Sequence, residues 1–468
     1  MFNVLDKTAP RDSSRPSGLV RPSSLLPISL LILSSFTALA APRAAQQPDG
    51  TERLVFDLTQ TLETPPQLEQ DPNQLRFQLE GLPTEQGFLN LPRVRGFSVS
   101  GNTVTLEGIF NKPVQAQVLP GSSGVGSRLL LDLPPTDTPE HCWKPQAALE
   151  RILAAEPPSV LSGKVGLVIA QLDAKGRFKR ILARDENTIF PLASAYKQLL
   201  AFQALERVHK GEWKLSDTLE STPQNRSIEG YSKGKNTLET LLKRTLKDSE
   251  NTAADLIHLR LGLEQPQTFV DALKLCSTRI LLTTKAFWTA EAGWGGPDFT
   301  LPNPLEAARR FHFSRGEERL ALARSIKDAS FKRTGPQLEA ALEKYFEGPA
   351  YNPDLDLFTQ NVSTPLEFAH LLSTLYPSSS LGKQNLLFRK LASLSCCKPP
   401  APKLHYWGGK AGSGWRILTL SGYFERTDGS RFVYVLFNFG SKLDHAEKLE
   451  AQIPLALKYL AGQLERMR

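Results

Sequence analysis

The sequence predicts an α+β protein in two parts: a small β-sandwich in front of a larger region that begins and ends in strands and is helical between. Three observations predict it. Short runs of alternating apolar and polar residues fill most of residues 48–134. Two strand-like runs joined by a turn lead directly into a helical run that starts at Ser194. Helical patterns then dominate until strand-like runs return around Lys410.

Residues 1–40 read as an export signal. Arg11, Arg15 and Arg21 precede the apolar run SLLPISLLILSSF, and Ala38–Leu39–Ala40 supplies a small-x-small cleavage site. The run is short for a membrane span and is broken by Pro27. Cleavage after Ala40, a periplasmic or extracellular location and no stable membrane span after cleavage are therefore expected. No cysteine stands directly after the signal, which argues against a lipid anchor. Segments 43–50 and 134–146 are rich in Pro with Ala, Gln or Thr and read as linkers. Between them ERLVFDLTQ, NQLRFQLEGL, RVRGFSVSGNTVTLEGIF, VQAQVLP and SRLLLDLPP give the strands of the sandwich.

The chemistry is expected in the second part, residues 145–468. KVGLVIAQLD and FKRILARDENTIF form a hairpin that feeds PLASAYKQLLAFQAL. Ser194 and Lys197 are three apart, so on a helix they share a face and the amine can approach the hydroxyl. Serine is a weak nucleophile until a base takes its proton, and a lysine is that base when burial lowers its pKa. The pattern is cheap alone, since Ser232/Lys235, Ser380/Lys383 and Ser395/Lys398 repeat it. Two partners follow in order: Ser249–Glu250–Asn251 at the start of a helical pattern, and Lys410–Ala411–Gly412–Ser413 on a strand. S-x-N also occurs at Ser100 and K-x-G at Lys164, so the ordered set with its flanks carries the weight.

That set, S-x-x-K then S-x-N then K-x-G, resembles the class A β-lactamase/transpeptidase family of serine hydrolases. Flanking runs extend the likeness: NTLETLLKRTLKDSENTAADL, NVSTPLEFAHLLSTLY, ILTLSGYFER, FVYVLFNFG and LDHAEKLEAQIPLALKYLAGQLER. The resemblance implies an antiparallel sheet flanked by helices plus an all-α subdomain. It implies that Ser194 is acylated, Lys197 is its base, and Ser249 relays a proton to the leaving group. Asn251 would hold a substrate amide and orient Lys197, and Lys410 would supply positive charge. The backbone N–H groups of Ser194 and Ser413 would form the oxyanion hole beside Gly412, and Tyr231 would gate the pocket. Three departures matter. Glu250 stands for the usual aspartate, Ala411 removes a hydroxyl that helps bind a substrate carboxylate, and no asparagine after Ser249 has a glutamate four residues before it. The family's β-lactamases use that glutamate to activate the deacylating water. The segment before Thr364–Pro365 is also much longer than the resemblance implies, and carries LEAARRFHFSRGEERLALARSIK and GPQLEAALEKYFEG as helix-like stretches. Glu291 in it reads either as a substitute base or as a solvated loop carboxylate.

The remaining signals bound the reading. A chain of 468 residues, 40% hydrophobic, holds two to three domains. Its net charge of +8 is not clustered and no nucleic-acid motif appears, so a nucleic-acid partner is not expected, although anionic envelope polymers would attract it. Vicinal Cys396 and Cys397 are strained partners for each other, so a disulfide from Cys142 or Cys276 to that pair is the expected arrangement. No C-x-x-C spacing exists; no metal site and no cofactor are expected. His209, His258, His312, His405 and His445 read as structural or surface residues, Trp407 and Trp415 as packing or pocket walls, and Arg416 as a replacement carboxylate contact. RLVFDL and RLLLDLP make the β-module similar to the AMIN domain, which implies docking on peptidoglycan. The reading is thus an exported serine hydrolase, slow or inactive on β-lactams, that takes a small-molecule or peptide substrate. The alternative is a catalytically degenerate wall-binding protein.

Overall fold

A computed structural model of the chain describes residues 42–46, 51–71, 74–89, 91, 93–108, 110, 112–121, 125–134, 142–146, 149–297, 299, 304–314, 316–400 and 403–467. The export signal lies outside the described residues.

Strict alternation in the first part puts every second side chain on one face, as in Glu52–Leu58. Two antiparallel sheets result. One runs Arg43–Gln46, Glu52–Leu58, Ser127–Leu133, Gln115–Pro120. The other runs Glu69–Gln70, Gln74–Gln78, Thr103–Gly108, Val94–Ser100, Glu85–Phe88. They share one apolar core around Leu54, Phe56, Phe77, Phe97, Val104 and Leu131. The linker reading of 43–50 is corrected for its first four residues, because Arg43–Gln46 pairs with Glu52–Leu58 as an edge strand; residues 47–50 lie outside the described residues.

The second part is built on a six-stranded sheet in the order Glu150–Leu153, Phe178–Arg184, Lys164–Leu172, Arg431–Phe439, Ile417–Arg426, Leu404–Gly414. It is antiparallel except at the edge, where Glu150–Leu153 runs parallel to its neighbour. The inner strands are apolar on both faces, and both faces are covered. One face packs on the helix Lys197–His209 and on Pro365–Leu375, within the larger core. The other packs on the closing helix Ile453–Glu465 through Leu420, Leu436, Leu460 and Leu464. The expected α+β arrangement is the one observed.

The long segment before Thr364 folds as four helices: Leu305–Phe313, Gly316–Ser330, Gly335–Glu347 and Pro353–Thr359. The stretch expected to be one helix breaks near Ser314. Buried Arg279 ties this insertion together by donating to His312 Nδ1 (2.6 Å), Leu357 O (3.2 Å) and Gln360 O (2.6 Å).

The disulfides differ from the expectation. Cys142 bonds Cys276, and Cys396 bonds Cys397. The linker expected over 134–146 is pinned at its end: Trp143 stacks on His370 at 3.9 Å while Cys142 meets Cys276 at a Cα separation of 5.5 Å. The sequence offered no hint that these two cysteines meet, since they lie 134 positions apart and Cys276 is brought to residue 142 only by the tertiary placement of the helix Glu264–Ala272 that precedes it. This bridge closes a loop of 134 residues. Replacing both cysteines by serine is therefore expected to cost about 2–5 kcal/mol, seen as a lowered midpoint in thermal unfolding. An unchanged midpoint would mean that the crosslink constrains nothing.

Candidate active site

The serine sits at a junction that the backbone holds tightly. Leu192 N donates to Asn361 O (2.8 Å), and Leu192 O accepts from Thr419 Oγ1 on the sheet (3.1 Å). Ala193 then takes a left-handed conformation, φ 43°, which costs a non-glycine residue about 1–2 kcal/mol. Ser194 lies in the 3₁₀ turn Ala193–Tyr196, and the α-helix begins only at Lys197. Gln198 locks the turn to the sheet by donating to Ala195 O (3.2 Å) and Ser421 Oγ (3.0 Å) while accepting from Tyr376 Oη (2.7 Å).

Lys197 is fully buried and is the hub of the site. Its Nζ donates to Ser249 O at 2.6 Å, Asn251 Oδ1 at 2.7 Å and Ser249 Oγ at 3.4 Å. Among the described residues its hydrogen-bond partners are these three atoms of the S-x-N turn and not Ser194 Oγ. Burial drives the Lys197 pKa down to about 8, against the pull of Glu229, Asp255 and Glu250 toward the charged form. A substantial neutral fraction near physiological pH is what a base requires.

The S-x-N residues reach Lys197 because Ser249 is left-handed, φ 58°, at the end of the turn Arg244–Asp248. Its carbonyl and hydroxyl both face the amine. Glu250 points the other way and anchors the neighbouring loop, accepting from Ser232 N (3.0 Å), Ser232 Oγ (2.9 Å) and Arg244 (3.2 Å). Tyr231 on that loop is half-buried under the Arg226 guanidinium, 4.6 Å from its ring centroid. The loop also brings in Glu229, which the sequence reading missed. Glu229 Oε2 accepts from Asn251 Nδ2 at 3.1 Å, and its backbone is left-handed, φ 69°. No motif marks it; only its place two residues before Tyr231 hints at the site.

The edge strand Leu404–Gly414 forms the opposite wall. Gly412 faces Ser194 directly: a Cβ there would lie 2.4 Å from Ser194 N and 2.7 Å from Thr419 Oγ1. Lys410 is buried and donates inward to Ala411 O at 2.6 Å. Its pKa falls well below the lysine value, through burial first and the Lys197 charge second, with Glu450 and Glu229 opposing. Ser413 Oγ donates to Glu450 Oε1 at 2.6 Å, so a carboxylate stands beside the strand that would read a substrate carboxylate. Arg416 does not make good the lost contact. It lies in the hairpin turn, φ 58°, with its guanidinium over Tyr351. Trp415 stacks on Phe346 at 4.9 Å, and Trp407 Nε1 donates to Tyr434 Oη, so both tryptophans pack.

The insertion helix Gly335–Glu347 links the two rims of the cleft. At its start Gly335 lies against Ser227 O, where a Cβ would approach to 2.4 Å, and Glu339 Oε1 accepts from Glu229 N at 2.5 Å. At its end Phe346 covers Trp415. Glu291 is neither a solvated loop residue nor beside the serine. It ends the helix Thr284–Glu291, is fully buried, and accepts from Thr359 Oγ1 (3.2 Å) near Asp356. Burial raises its pKa to about 8, and raises that of Asp356 well above the carboxylate range. Burial thus favours the protonated form of this pair, and the stability that its protons bring is full below about pH 4.3, the unfolded value, and declines as pH rises toward about 8. Glu291→Gln is expected to flatten that alkaline decline in thermal midpoint. An unchanged pH dependence would mean that the pair titrates normally. A separate surface cavity of about 500 Å³ under Trp143 and His370 holds none of the motif residues.

Among the described residues no group of three His, Cys, Asp or Glu is placed to hold a metal ion, and no helix is long and apolar enough to cross a membrane. What the geometry assembles is a serine-and-lysine site on an α+β scaffold. Residues 145–307 match the model of the Beta-lactamase enzyme family. Solved structures similar to it include a class A β-lactamase from Bacteroides cellulosilyticus DSM 14838, at 18% identity over 64% of this chain and 92% of that one, TM-score 0.42. A β-lactamase from Chitinophaga pinensis DSM 2588 aligns at 19% identity over 65% and 97%, TM-score 0.41. A PBP-A mutant in acyl-enzyme complex with penicillin G aligns at 14% identity over 65% and 90%, TM-score 0.41. No curated protein matches the chain.

Proposed function

We propose that the protein is an exported serine hydrolase that opens an amide, a β-lactam or an ester through an acyl-enzyme on Ser194. The observation that carries this reading is the meeting of three separate segments: Ser249 and Asn251 of the S-x-N turn hold the buried Lys197 amine, and Gly412 of the edge strand lies against Ser194 N, three residues before that lysine. In this reading Lys197 in its neutral form takes the Ser194 proton, and Ser249 passes it to the leaving group. The oxyanion is held by Ser194 N and Ser413 N. Each such donor lowers the barrier by about 3 kcal/mol.

The rim supports a substrate without a carboxylate next to the scissile bond. Ala411 lacks the hydroxyl, Lys410 is turned inward, and Glu450 would repel an anion. Slow reaction with β-lactams follows. The β-module, on its likeness to AMIN domains, would hold the enzyme at the cell wall. A degenerate wall-binding protein is the second reading, favoured by the single fact that Glu229 occupies the Asn251 amide where a substrate carbonyl would bind.

The test is intact-protein mass and turnover with p-nitrophenyl esters, a fluorescent penicillin and a chromogenic cephalosporin, each beside Ser194→Ala. Ester turnover with a Ser194-dependent adduct supports the hydrolase. Absence of any Ser194-dependent reaction leaves the binding protein.

A further inference from the structure

An acyl-enzyme has to be released, and the glutamate that would do so in the resembled β-lactamases has no counterpart in this sequence. Three carboxylates act on Lys197: Glu229, Asp255 and Glu250. Two are already committed. Asp255 is buried and accepts from Thr284 N (2.6 Å) and Lys285 N (2.8 Å) at a helix start. Glu250 holds Ser232 and Arg244. Glu291 and Asp356 are sealed inside the insertion. Glu229 differs from all of these. One oxygen rests on Asn251 Nδ2 and its other oxygen has no hydrogen-bond partner among the described residues; the residue as a whole is exposed at the rim, while its carboxylate lies low enough among protein atoms to be desolvated.

Resting on the acyl-enzyme reading, we propose that Glu229 is the general base of deacylation, supplied from the loop before Tyr231 instead of from the segment after the S-x-N helix. The insertion fixes it there. Glu229 N donates to Glu339 on the helix Gly335–Glu347, and Ile228 packs against Leu338 and Leu342 of that helix. A water held by the free carboxylate oxygen attacks the acyl carbonyl carbon while Glu229 takes its proton. The tetrahedral intermediate collapses with cleavage of the bond to Ser194 Oγ. The serine oxygen recovers a proton from the Lys197–Ser249 relay, which Glu229 reprotonates, and the product leaves as a carboxylic acid.

The surroundings set the pH dependence. Glu229 faces Lys197 and, by charge, Lys410, and on the acidic side Glu339 of the insertion helix with Glu447 and Glu450 of the short helix Ala446–Glu450; Arg226 donates to its backbone carbonyl. Desolvation and the three glutamates push its pKa up while Lys197 pulls it down, and the net direction is up. Deacylation therefore rises with pH as Glu229 ionises.

The test uses the mature chain with p-nitrophenyl acetate in stopped flow and by intact mass. Glu229→Gln is expected to keep the first-turnover burst within about twofold, to lose steady-state turnover by about 100-fold or more, and to accumulate acetylated protein. Its deacylation should lose the rising pH limb, and Glu229→Asp should recover part of the turnover. A Glu229→Gln enzyme that turns over like the wild type, or that loses the burst as Ser194→Ala does, overturns the assignment while leaving the acyl-enzyme reading intact. A wild type that never acylates Ser194 overturns both.

Discussion

Lys197→Met acylates about 10²–10⁴-fold more slowly than the wild type, the range that one general base contributes. The substitution suits the site sterically, since an unbranched apolar chain replaces a buried unbranched amine. It removes the group that bridges the nucleophile helix to the S-x-N turn, leaving Ser249 O and Asn251 Oδ1 without their donor. Leaving two acceptors unpaired costs about 1–3 kcal/mol each, offset by no longer burying an ammonium. A modest change in thermal midpoint with a large loss of rate is thus the expected signature. The wild-type pH profile gives the complementary result. The active form is the neutral amine, so the acylation rate rises through about pH 8 and levels above it. In the variant that limb disappears. Burst kinetics across pH measure both, and a variant that acylates at the wild-type rate would assign the proton transfer to another group.

The parts of this molecule that could be read from sequence are those in which local pattern and chemistry coincide. Alternation in Glu52–Leu58 and the doubly apolar runs of Lys164–Leu172 and Arg431–Phe439 each dictate a strand whatever surrounds them. That Lys197 would lie beside Ser249 and Asn251, and Gly412 beside Ser194, could be expected because the order of the motifs along the chain is informative even where each short motif is not. What could not be read depends on tertiary placement. Glu229 is one acidic residue in a polar loop until Gly335 and Glu339, more than a hundred positions later, brace it against Asn251. Glu291 looked like a loop carboxylate because the buried environment around it comes from Thr359 and Asp356, on a helix formed far down the chain. The Cys142–Cys276 bridge is likewise a statement about where a helix ends in space. Ala411 and Glu450 show the same limit: the missing hydroxyl is visible in sequence, but the carboxylate that changes the sign of the rim is not.

Gly412→Ala is expected to lose acylation by about 10²–10³-fold, the cost of an oxyanion donor. Gly412 is required not for flexibility but for closeness. An added Cβ would lie 2.4 Å from Ser194 N, 2.7 Å from Thr419 Oγ1 and 3.0 Å from Ala193 Cβ. The first neighbour is backbone and cannot rotate aside, and Ala193 is already in a strained conformation that fixes the serine turn. Either the edge strand or the turn has to move, by several tenths of an ångström at least, and in the proposed acyl-enzyme each carries one of the two N–H groups that would hold the oxyanion. Overpacking of this kind costs about 1–3 kcal/mol of stability, which a fold with this much buried sheet can absorb. Gly414→Ala on the same strand is the control, because its Cβ would meet nothing nearer than Ile417 at 3.8 Å. The pair separates a local steric effect from a general weakening of the strand. If both variants acylate like the wild type, the contact between Gly412 and Ser194 N has no part in the chemistry. If both fail, the strand tolerates no substitution and the loss is one of folding. If only Gly412→Ala fails, with its thermal midpoint near that of Gly414→Ala, the close approach of the strand to the serine is what builds the oxyanion pocket.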